Sequence, residues 1–230
     1  MKGWFKEYSI HANSNPWFRT AVDFICSEFG IEEIIETGTY NGLGSTKVFC
    51  EIAKELGITV RSIECNENNC HSARYNLRDF KDVEIIHGLS IDRQEAIDWM
   101  QHNLKLPPED ISLDYDLGPD MEHITDNQYL RLLLQSYTDE ISTPCVNENV
   151  LPDLINNRIT QLIFLDSAGG IGLYEFKKCI MSLSPKYLCT KVLMVDDVDK
   201  MKHYQTTEAL EEDGFCVNYD SQRRMAWCKF

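Results

Sequence analysis

The stretch from 31 to 46 reads IEEIIETGTYNGLGST, and its pattern decides the fold. An apolar run ends in the acid Glu36, three glycines follow, and a helical pattern begins near Ser45. This order predicts a strand, a glycine-rich turn and a helix. Glycine allows positive φ and has no Cβ, so a cofactor can lie directly against the main chain of such a turn.

Two familiar phosphate-binding motifs do not match this turn. The dinucleotide motif G-x-G-x-x-G fails because the third position after Gly44 is Lys47. The P-loop motif fails because Gly44 is followed by Ser45, where that motif requires Gly-Lys-Ser or Gly-Lys-Thr. The pattern that remains is E-x-G-x-x-x-G, running from Glu36 to Gly42.

A second strand, predicted at 59–64, also ends in an acid. Glu64 stands 28 positions after Glu36. In βαβ units, a carboxylate at the tip of the second strand accepts hydrogen bonds from the ribose hydroxyls of an adenosine. The turn and this acid together therefore indicate an adenosine-containing cofactor.

The remaining pattern predicts further β-α units. We expect a helix that begins at Pro16 and ends before Gly30, and strands at 83–87, 161–165 and 191–195. Further helices are expected at 45–56, 68–80, 95–104, 129–137 and 174–183, with one more that holds His203 and Tyr204. The segments 214–219 and 225–230 are expected to form a hairpin.

The predicted fold class is α/β, with a Rossmann-like, doubly wound, mostly parallel sheet and a C-terminal antiparallel β-hairpin. We expect one domain over 1–230, which includes an N-terminal helical segment at 1–30. Acids end the first, second, fourth and fifth strands. Ligands in open parallel sheets bind at the carboxyl ends of the strands, so these acids should converge on one crevice.

Residues 105–160 form a predicted helical and acidic insertion before the fourth strand. Seven acids and no Lys or Arg lie between Pro107 and Asp126, and a helix-like apolar run follows. The stretch is longer than a βα connection needs. Two interpretations stay open: a solvated loop with a packing helix, or a lid or subunit interface.

Composition narrows the classes of function. The chain has 230 residues, 43% of them hydrophobic, and a formal net charge of -15. That charge argues against a nucleic-acid partner or an anionic membrane surface, because phosphate groups are bound by Lys and Arg. The nine cysteines include no C-x-x-C pair, and no apolar stretch approaches a membrane span, so we expect a cytoplasmic protein with reduced thiols.

Taken together, these motifs resemble class I S-adenosylmethionine (SAM) dependent methyltransferases. The resemblance is strongest to the metal-dependent O-methyltransferases related to the macrocin enzymes. It implies SAM as cofactor and Mg²⁺ held by Asp166, Asp196 and Asp197, with Asp166 also catalytic. His203 follows Asp196 and Asp197 closely and is a candidate for the general base. The cofactor-binding residues it implies are Glu36, Gly38, Thr39, Tyr40, Gly42, Ser45, Glu64, Cys65, Ser90 and Asp166.

The chemistry of methyl transfer explains why such residues would be needed. The reaction is an in-line displacement, so the enzyme must align the nucleophile and exclude water. A sugar or aliphatic hydroxyl is a poor nucleophile at neutral pH, and Mg²⁺ would lower its pKa. The expected acceptor is a hydroxyl of a small molecule, such as a natural product, a sugar or a peptide-like compound, and homo-oligomers are allowed.

Three alternatives remain open at this stage. In the resembling family the fourth-strand acid is commonly followed by a triplet such as Gly-x-His, whereas here Asp166 is followed by Ser-Ala-Gly-Gly. This departure favours a metal-independent N- or carboxyl methyltransferase, or a non-catalytic SAM-binding partner subunit. A nicotinamide dehydrogenase is more distant, because G-x-G-x-x-G is absent.

Overall fold

The computed structural model describes residues 16–106, 126–200 and 202–230. In chain order, the helices and strands are α1 (Pro16–Glu28), β1 (Glu33–Thr37), α2 (Ser45–Leu56), β2 (Thr59–Glu64), α3 (Glu67–Asn76), β3 (Val83–His87), α4 (Arg93–Asn103), α5 (Asp126–Ile141), α6 (Val150–Ile155), β4 (Gln161–Leu165), α7 (Gly169–Tyr174), a π-helical segment (Glu175–Ile180), α8 (Pro185–Leu188), β5 (Lys191–Val195), α9 (Tyr204–Glu212), β6 (Asn218–Tyr219) and β7 (Ala226–Lys229).

The strands form one seven-stranded sheet in the order β3-β2-β1-β4-β5-β7-β6. The first five strands in this order are parallel, and the β6-β7 hairpin adds the antiparallel end. The expected Rossmann-like sheet and C-terminal hairpin are therefore confirmed. The order reverses between β1 and β4, which places the crevice expected of such sheets at their carboxyl ends.

The central strands are buried on both faces, as the apolar runs in β1, β4 and β5 require. One face of the sheet packs on α1, α2 and α3, where the rings of Phe18, Phe49 and Phe164 meet at centroid distances of 5.4 to 5.5 Å. The other face packs on α4, α5 and α7. These two layers hold the strand tips rigidly in register.

The glycine-rich turn between β1 and α2 is shaped by close backbone approach. Gly38 has φ +86°, and a Cβ at this position would lie 2.5 Å from the carbonyl oxygen of Asp166. Gly42 has φ +77°, and its Cβ would lie 3.1 Å from the Cβ of Ala73 on α3. Both glycines are thus required by packing within the fold, and Gly38 sets the spacing between the tips of β1 and β4.

Most predicted boundaries agree with the structure to within four residues. The clearest difference follows β4, where the predicted helix over 174–183 instead begins at Gly169 and passes into the π-helical segment. Gly170 is helical, and a Cβ there would lie 3.0 Å from the Sδ of Met100, so close packing on α4 favours glycine in this helix.

The predicted insertion contributes to the core. The residues of α5 that pack inward are Tyr129, Leu133, Tyr137 and Ile141, all buried. After α5, the backbone of Asn147 and Val150 exchanges hydrogen bonds with Leu89 at the tip of β3. The packing helix is therefore confirmed, whereas the acidic stretch 107–125 and the first 15 residues lie outside the described residues.

Among the residues that the structure describes, no helix combines the length and the apolar character needed to cross a membrane.

We expect Gly38→Ala to lower the free energy of unfolding by about 3 kcal/mol, because the new Cβ would overlap the Asp166 carbonyl and occupy a left-handed backbone position. Urea denaturation measures this loss. Gly57→Ala is the matched control, since Gly57 has φ +72° but open space around its Cβ position. The control should lose only about 1 kcal/mol. Equal losses at both positions would contradict the close-approach explanation.

Candidate active site

A cavity of about 230 Å³ lies at the carboxyl ends of β1, β2 and β4. Its walls combine apolar surface with carboxylate, hydroxyl and amide groups. The lining residues are Thr37, Gly38, Tyr40, Ile63, Glu64, Cys65, Asn69, Gly88, Leu89, Ser90, Glu140, Ile141, Asp166, Ser167, Ala168 and Ile171. The cavity occupies the crevice that the strand order predicts for a ligand.

Glu64 forms the cavity wall at the tip of β2. Its side chain is buried, and its carboxylate accepts hydrogen bonds from the backbone N–H groups of Tyr40 at 2.7 Å and Asn66 at 2.8 Å. Tyr40 can donate because the turn places it at φ 52°, a left-handed conformation. Burial raises the pKa of Glu64, while the two N–H groups oppose that shift. The glycine-rich turn thus fixes the orientation of this carboxylate.

Six of the predicted cofactor-binding residues line the cavity together. They are Gly38, Tyr40, Glu64, Cys65, Ser90 and Asp166. Glu36, Thr39, Gly42 and Ser45 do not line the cavity, so their assignment to the cofactor stays a prediction. Thr39 is buried against Ser62, with 2.5 Å between their hydroxyl oxygens, and Gly42 packs on α3.

Glu36 lies beneath the turn instead of facing the cavity. Its carboxylate is fully buried and accepts hydrogen bonds from the hydroxyls of Ser45 and Ser62. Burial raises the pKa of Glu36 to about 7. The side chain therefore joins β1, β2 and the start of α2, and it supports the turn.

Glu175 is a buried acid behind the cavity that the sequence patterns did not single out. It lies on the π-helical segment, and its carboxylate accepts hydrogen bonds from Thr37 at 3.0 Å, Ser167 at 2.7 Å and Ser90. All three donors line the cavity. Burial raises the pKa of Glu175 to about 7. The only signal in the sequence was one acid within an apolar helical run, and π-helical segments often accompany functional sites.

The three predicted metal ligands do come together. Oxygen atoms of Asp166, Asp196 and Asp197 lie within 4.8 Å of one another, and this is the one cluster of potential metal ligands in the described parts of the chain. Asp197 adopts φ 55°, and its N–H donates to the carboxylate of Asp196 at 2.7 Å. Burial and the two neighbouring carboxylates raise the pKa of Asp196 to about 7.

A lysine that the sequence analysis missed lies within this cluster. The Lys202 ammonium donates to Asp166 Oδ1 and lies 3.9 Å from Asp197 Oδ2, and the residue is only 5% exposed. Burial disfavours the ammonium form, but the three carboxylates raise the pKa of Lys202 above its ordinary value. The sequence offered no signal for it, since Lys202 follows no strand tip and fits no motif.

Two further cations neutralise Asp197. Lys200 Nζ lies 2.8 Å from Asp197 Oδ1, and Arg224 Nη2 lies 3.6 Å from the same oxygen. Burial opposes ionisation of Asp197, but Lys202 and Lys200 hold the pKa of this carboxyl below its ordinary value. Among the described residues, Asp166 and Asp197 are therefore paired with three cations, whereas the carboxylate of Asp196 accepts the Asp197 N–H. Hard oxygen donors suit Mg²⁺, but the ion would have to share its ligands with a buried ammonium, so this arrangement does not fit the metal.

His203 does not line the cavity, and the prediction that it acts as a general base is not supported. Its ring is fully buried, and its Nδ1 lies 3.1 Å from the hydroxyl of Thr206. Burial and the neighbouring Lys202 ammonium lower the pKa of His203 to about 3. A Cβ on Gly172 would lie 2.9 Å from His203 Nε2, which shows how tightly the ring packs on α7.

Comparison with known proteins gives matches at the level of structure alone. No family model and no curated protein matches this chain. The SAH-bound methyltransferase PaMTH1 of Podospora anserina matches with 12% identity and a TM-score of 0.51, over 94% of this chain and 79% of that chain. An O-methyltransferase from Bacillus cereus in complex with SAH matches with 14% identity and a TM-score of 0.50, over 96% and 84%. The chain therefore shares the fold of these methyltransferases.

We expect the buried acid Glu175 to make stability depend on pH. Its pKa is about 7 in the folded chain against an ordinary value of 4.5, so the folded state binds more protons between these values. The stabilisation is complete below pH 4.5 and is lost as the pH rises through 7.

Glu175→Gln removes this titration. Urea denaturation measures the free energy of unfolding at pH 6 and at pH 8. The decrease in this free energy from pH 6 to pH 8 should be about 1 kcal/mol smaller in the variant than in the wild type. Glu208→Gln, on the exposed side of α9, is the control and should leave the difference unchanged. An identical pH dependence in wild type and Glu175→Gln would contradict the shifted pKa.

Proposed function

We propose that this protein is a SAM-dependent methyltransferase that acts on a hydroxyl group of a small molecule. The observation that carries the proposal is the position of Glu64. Its carboxylate lies in the cavity wall at the tip of β2, held by the backbone of the glycine-rich turn, on a fold shared with solved methyltransferases. A carboxylate at this point can accept hydrogen bonds from two neighbouring hydroxyls of a ribose.

Several groups of the chain would hold the cofactor. Glu64 would accept the ribose hydroxyls, Gly38 would allow close approach of the main chain, and Ser90 would offer a hydroxyl near the adenine. Tyr40 is half exposed at the mouth of the cavity and would cover the ligand. When bound, SAM supplies an electrophilic methyl group on a sulfonium centre.

Asp166 is the residue that we assign to the acceptor. Its side chain lines the cavity and is 26% exposed, so one face of the carboxylate can accept a hydrogen bond from an incoming hydroxyl. Lys202 holds the opposite side of this carboxylate and fixes its direction. Asp166 would thereby orient the acceptor oxygen, and the apolar walls formed by Leu89, Ile141 and Ile171 would exclude water.

Mg²⁺ assistance, which the sequence resemblance implies, is not used in this mechanism because Lys202 is paired with the same carboxylates. That pairing supports a second candidate function, metal-independent methylation of a nitrogen or a carboxylate. Both acceptors are nucleophilic without a metal, since a neutral amine and a carboxylate exist near pH 7 in accessible amounts. The acceptor would be a small natural product, a peptide-like compound, or a sugar that carries an acidic hydroxyl, a carboxylate or an amine. The proposed location is the cytoplasm, and a homo-oligomer is allowed.

We expect Glu64→Gln to weaken binding of S-adenosylhomocysteine (SAH) by about 10-fold or more, because the variant replaces a carboxylate acceptor by an amide. Isothermal titration calorimetry of the purified chain measures this. Glu67→Gln is the matched control, since Glu67 begins α3 with a largely exposed side chain and lies outside the cavity. Absence of SAH binding by the wild type would overturn the cofactor assignment.

Turnover is tested separately by incubating the chain with methyl-labelled SAM and a cell extract divided into small-molecule, protein and nucleic-acid fractions. We expect label in the small-molecule fraction, at a rate that EDTA does not change. Asp166→Asn should reduce that rate about 100-fold while leaving SAH affinity within about twofold, because the residue acts on the acceptor. SAH binding without label in any fraction would instead favour the non-catalytic partner subunit.

A further inference from the structure

We propose that the ammonium group of Lys202 is a built-in replacement for a divalent cation in the cluster of Asp166, Asp196 and Asp197. The chain would therefore bind no Mg²⁺ at this cluster. This inference concerns the cluster itself and does not depend on the reaction that takes place in the cavity.

The space between the three carboxylates is already taken by the Lys202 ammonium. Mg²⁺ requires near-octahedral oxygen ligands at about 2.0 to 2.1 Å. The oxygens of the three carboxylates lie within 4.8 Å of one another, which leaves one central position for a cation. Lys202 Nζ already donates to Asp166 Oδ1 and lies 3.9 Å from Asp197 Oδ2. A metal ion that bound Asp166 and Asp197 together would have to displace this ammonium.

Burial of Lys202 opposes its displacement by a metal ion. Lys202 is 5% exposed, so its side chain is enclosed by protein and largely removed from water. Moving the head group would leave a buried charge without a partner, which costs far more than breaking an exposed ion pair. Lys202 is therefore a permanent component of the cluster.

Cationic side chains other than Lys202 also surround the cluster. Asp197 Oδ1 is also paired with Lys200 at 2.8 Å and faces Arg224 at 3.6 Å. Within the described residues the cluster thus contains three carboxylates and three cations. Divalent-cation sites instead concentrate unpaired carboxylates, whose mutual repulsion the metal relieves. Here Asp166 and Asp197 are already paired with cationic side chains of the chain.

Backbone geometry supports the same conclusion. Asp197 adopts φ 55°, and this turn directs its carboxylate toward Lys200 and Arg224 while its N–H binds the Asp196 carboxylate. A left-handed conformation is unfavourable for a residue other than glycine and persists where surrounding contacts determine it. The ion pairs are those contacts. Lys202 acts as a positioning residue, because it orients Asp166 and does not itself line the cavity.

The test is titration of the purified chain with Mn²⁺, monitored by the electron paramagnetic resonance signal of the free ion. Mn²⁺ takes oxygen ligands like Mg²⁺ and is directly observable. We expect the wild type to have no saturable Mn²⁺ site at this cluster. Asp197→Asn should therefore remove no Mn²⁺ site. We expect Lys202→Met to gain one saturable Mn²⁺ site, at least about 10-fold tighter than any residual Mn²⁺ binding by the wild type, because it frees the carboxylates while preserving the shape of the side chain.

Two controls make the result specific. Lys54→Met changes the net charge equally on the exposed side of α2, so it should leave Mn²⁺ binding unchanged. Lys202→Met combined with Asp197→Asn should lose the gained site. If the methionine variant does not fold, Lys202→Gln is a second variant with a polar, uncharged side chain. It should gain the same Mn²⁺ site.

Either of two results would overturn the proposal. One is a single Mn²⁺ site in the wild type that Asp197→Asn abolishes, and the other is no gain of binding in a folded Lys202 variant. SAH titration of the same samples keeps the two proposals separate, because wild-type SAH binding concerns the cavity whereas Mn²⁺ binding concerns only the cluster.

Discussion

The fold has to bury several carboxylates close together at one edge of a parallel sheet, and each of them needs a compensating partner. The chain provides three kinds of partner. Glu36 and Glu175 receive hydroxyl groups, Glu64 receives the backbone N–H groups of Tyr40 and Asn66, and Asp166 and Asp197 at the tips of β4 and β5 receive Lys and Arg. The kind of partner decides the charge of each acid, and so it decides what each acid can do.

This constraint connects the sheet to the cavity. Gly38 allows the first turn to lie against the Asp166 backbone, and that approach brings the tips of β1 and β4 together. The same turn places the Tyr40 N–H on the Glu64 carboxylate. The insertion then supplies Glu140 and Ile141 as a wall from α5. The cavity is therefore formed by contacts between segments far apart in the sequence, and each contact also stabilises a strand tip.

The sequence was sufficient to predict features that depend on local pattern. Strand positions, the acids at strand tips and the hairpin follow from periodicity and from residues adjacent in the chain, and the structure agrees with them. Residues whose role depends on distant contacts could not be predicted in this way. Glu36 was expected to face the cofactor because it precedes the glycines, but hydroxyls from α2 and β2 draw it beneath the turn. Lys202 and Glu175 were missed because no spacing distinguishes a lysine or glutamate that meets its partners only after folding.

The identity of the cation in the cluster limits the acceptor. A divalent metal ion that binds an aliphatic hydroxyl directly can lower its pKa by several units, because the ion carries two charges and contacts the oxygen. Lys202 carries one charge, is already paired with Asp166 and lies behind that carboxylate, so it cannot polarise an acceptor to the same extent. In the proposed methyl transfer, Asp166 would orient a hydroxyl and accept its hydrogen bond, but the acceptor would itself supply most of the nucleophilicity. The proposed site would therefore favour an acidic hydroxyl, a carboxylate or an amine over an unactivated sugar hydroxyl.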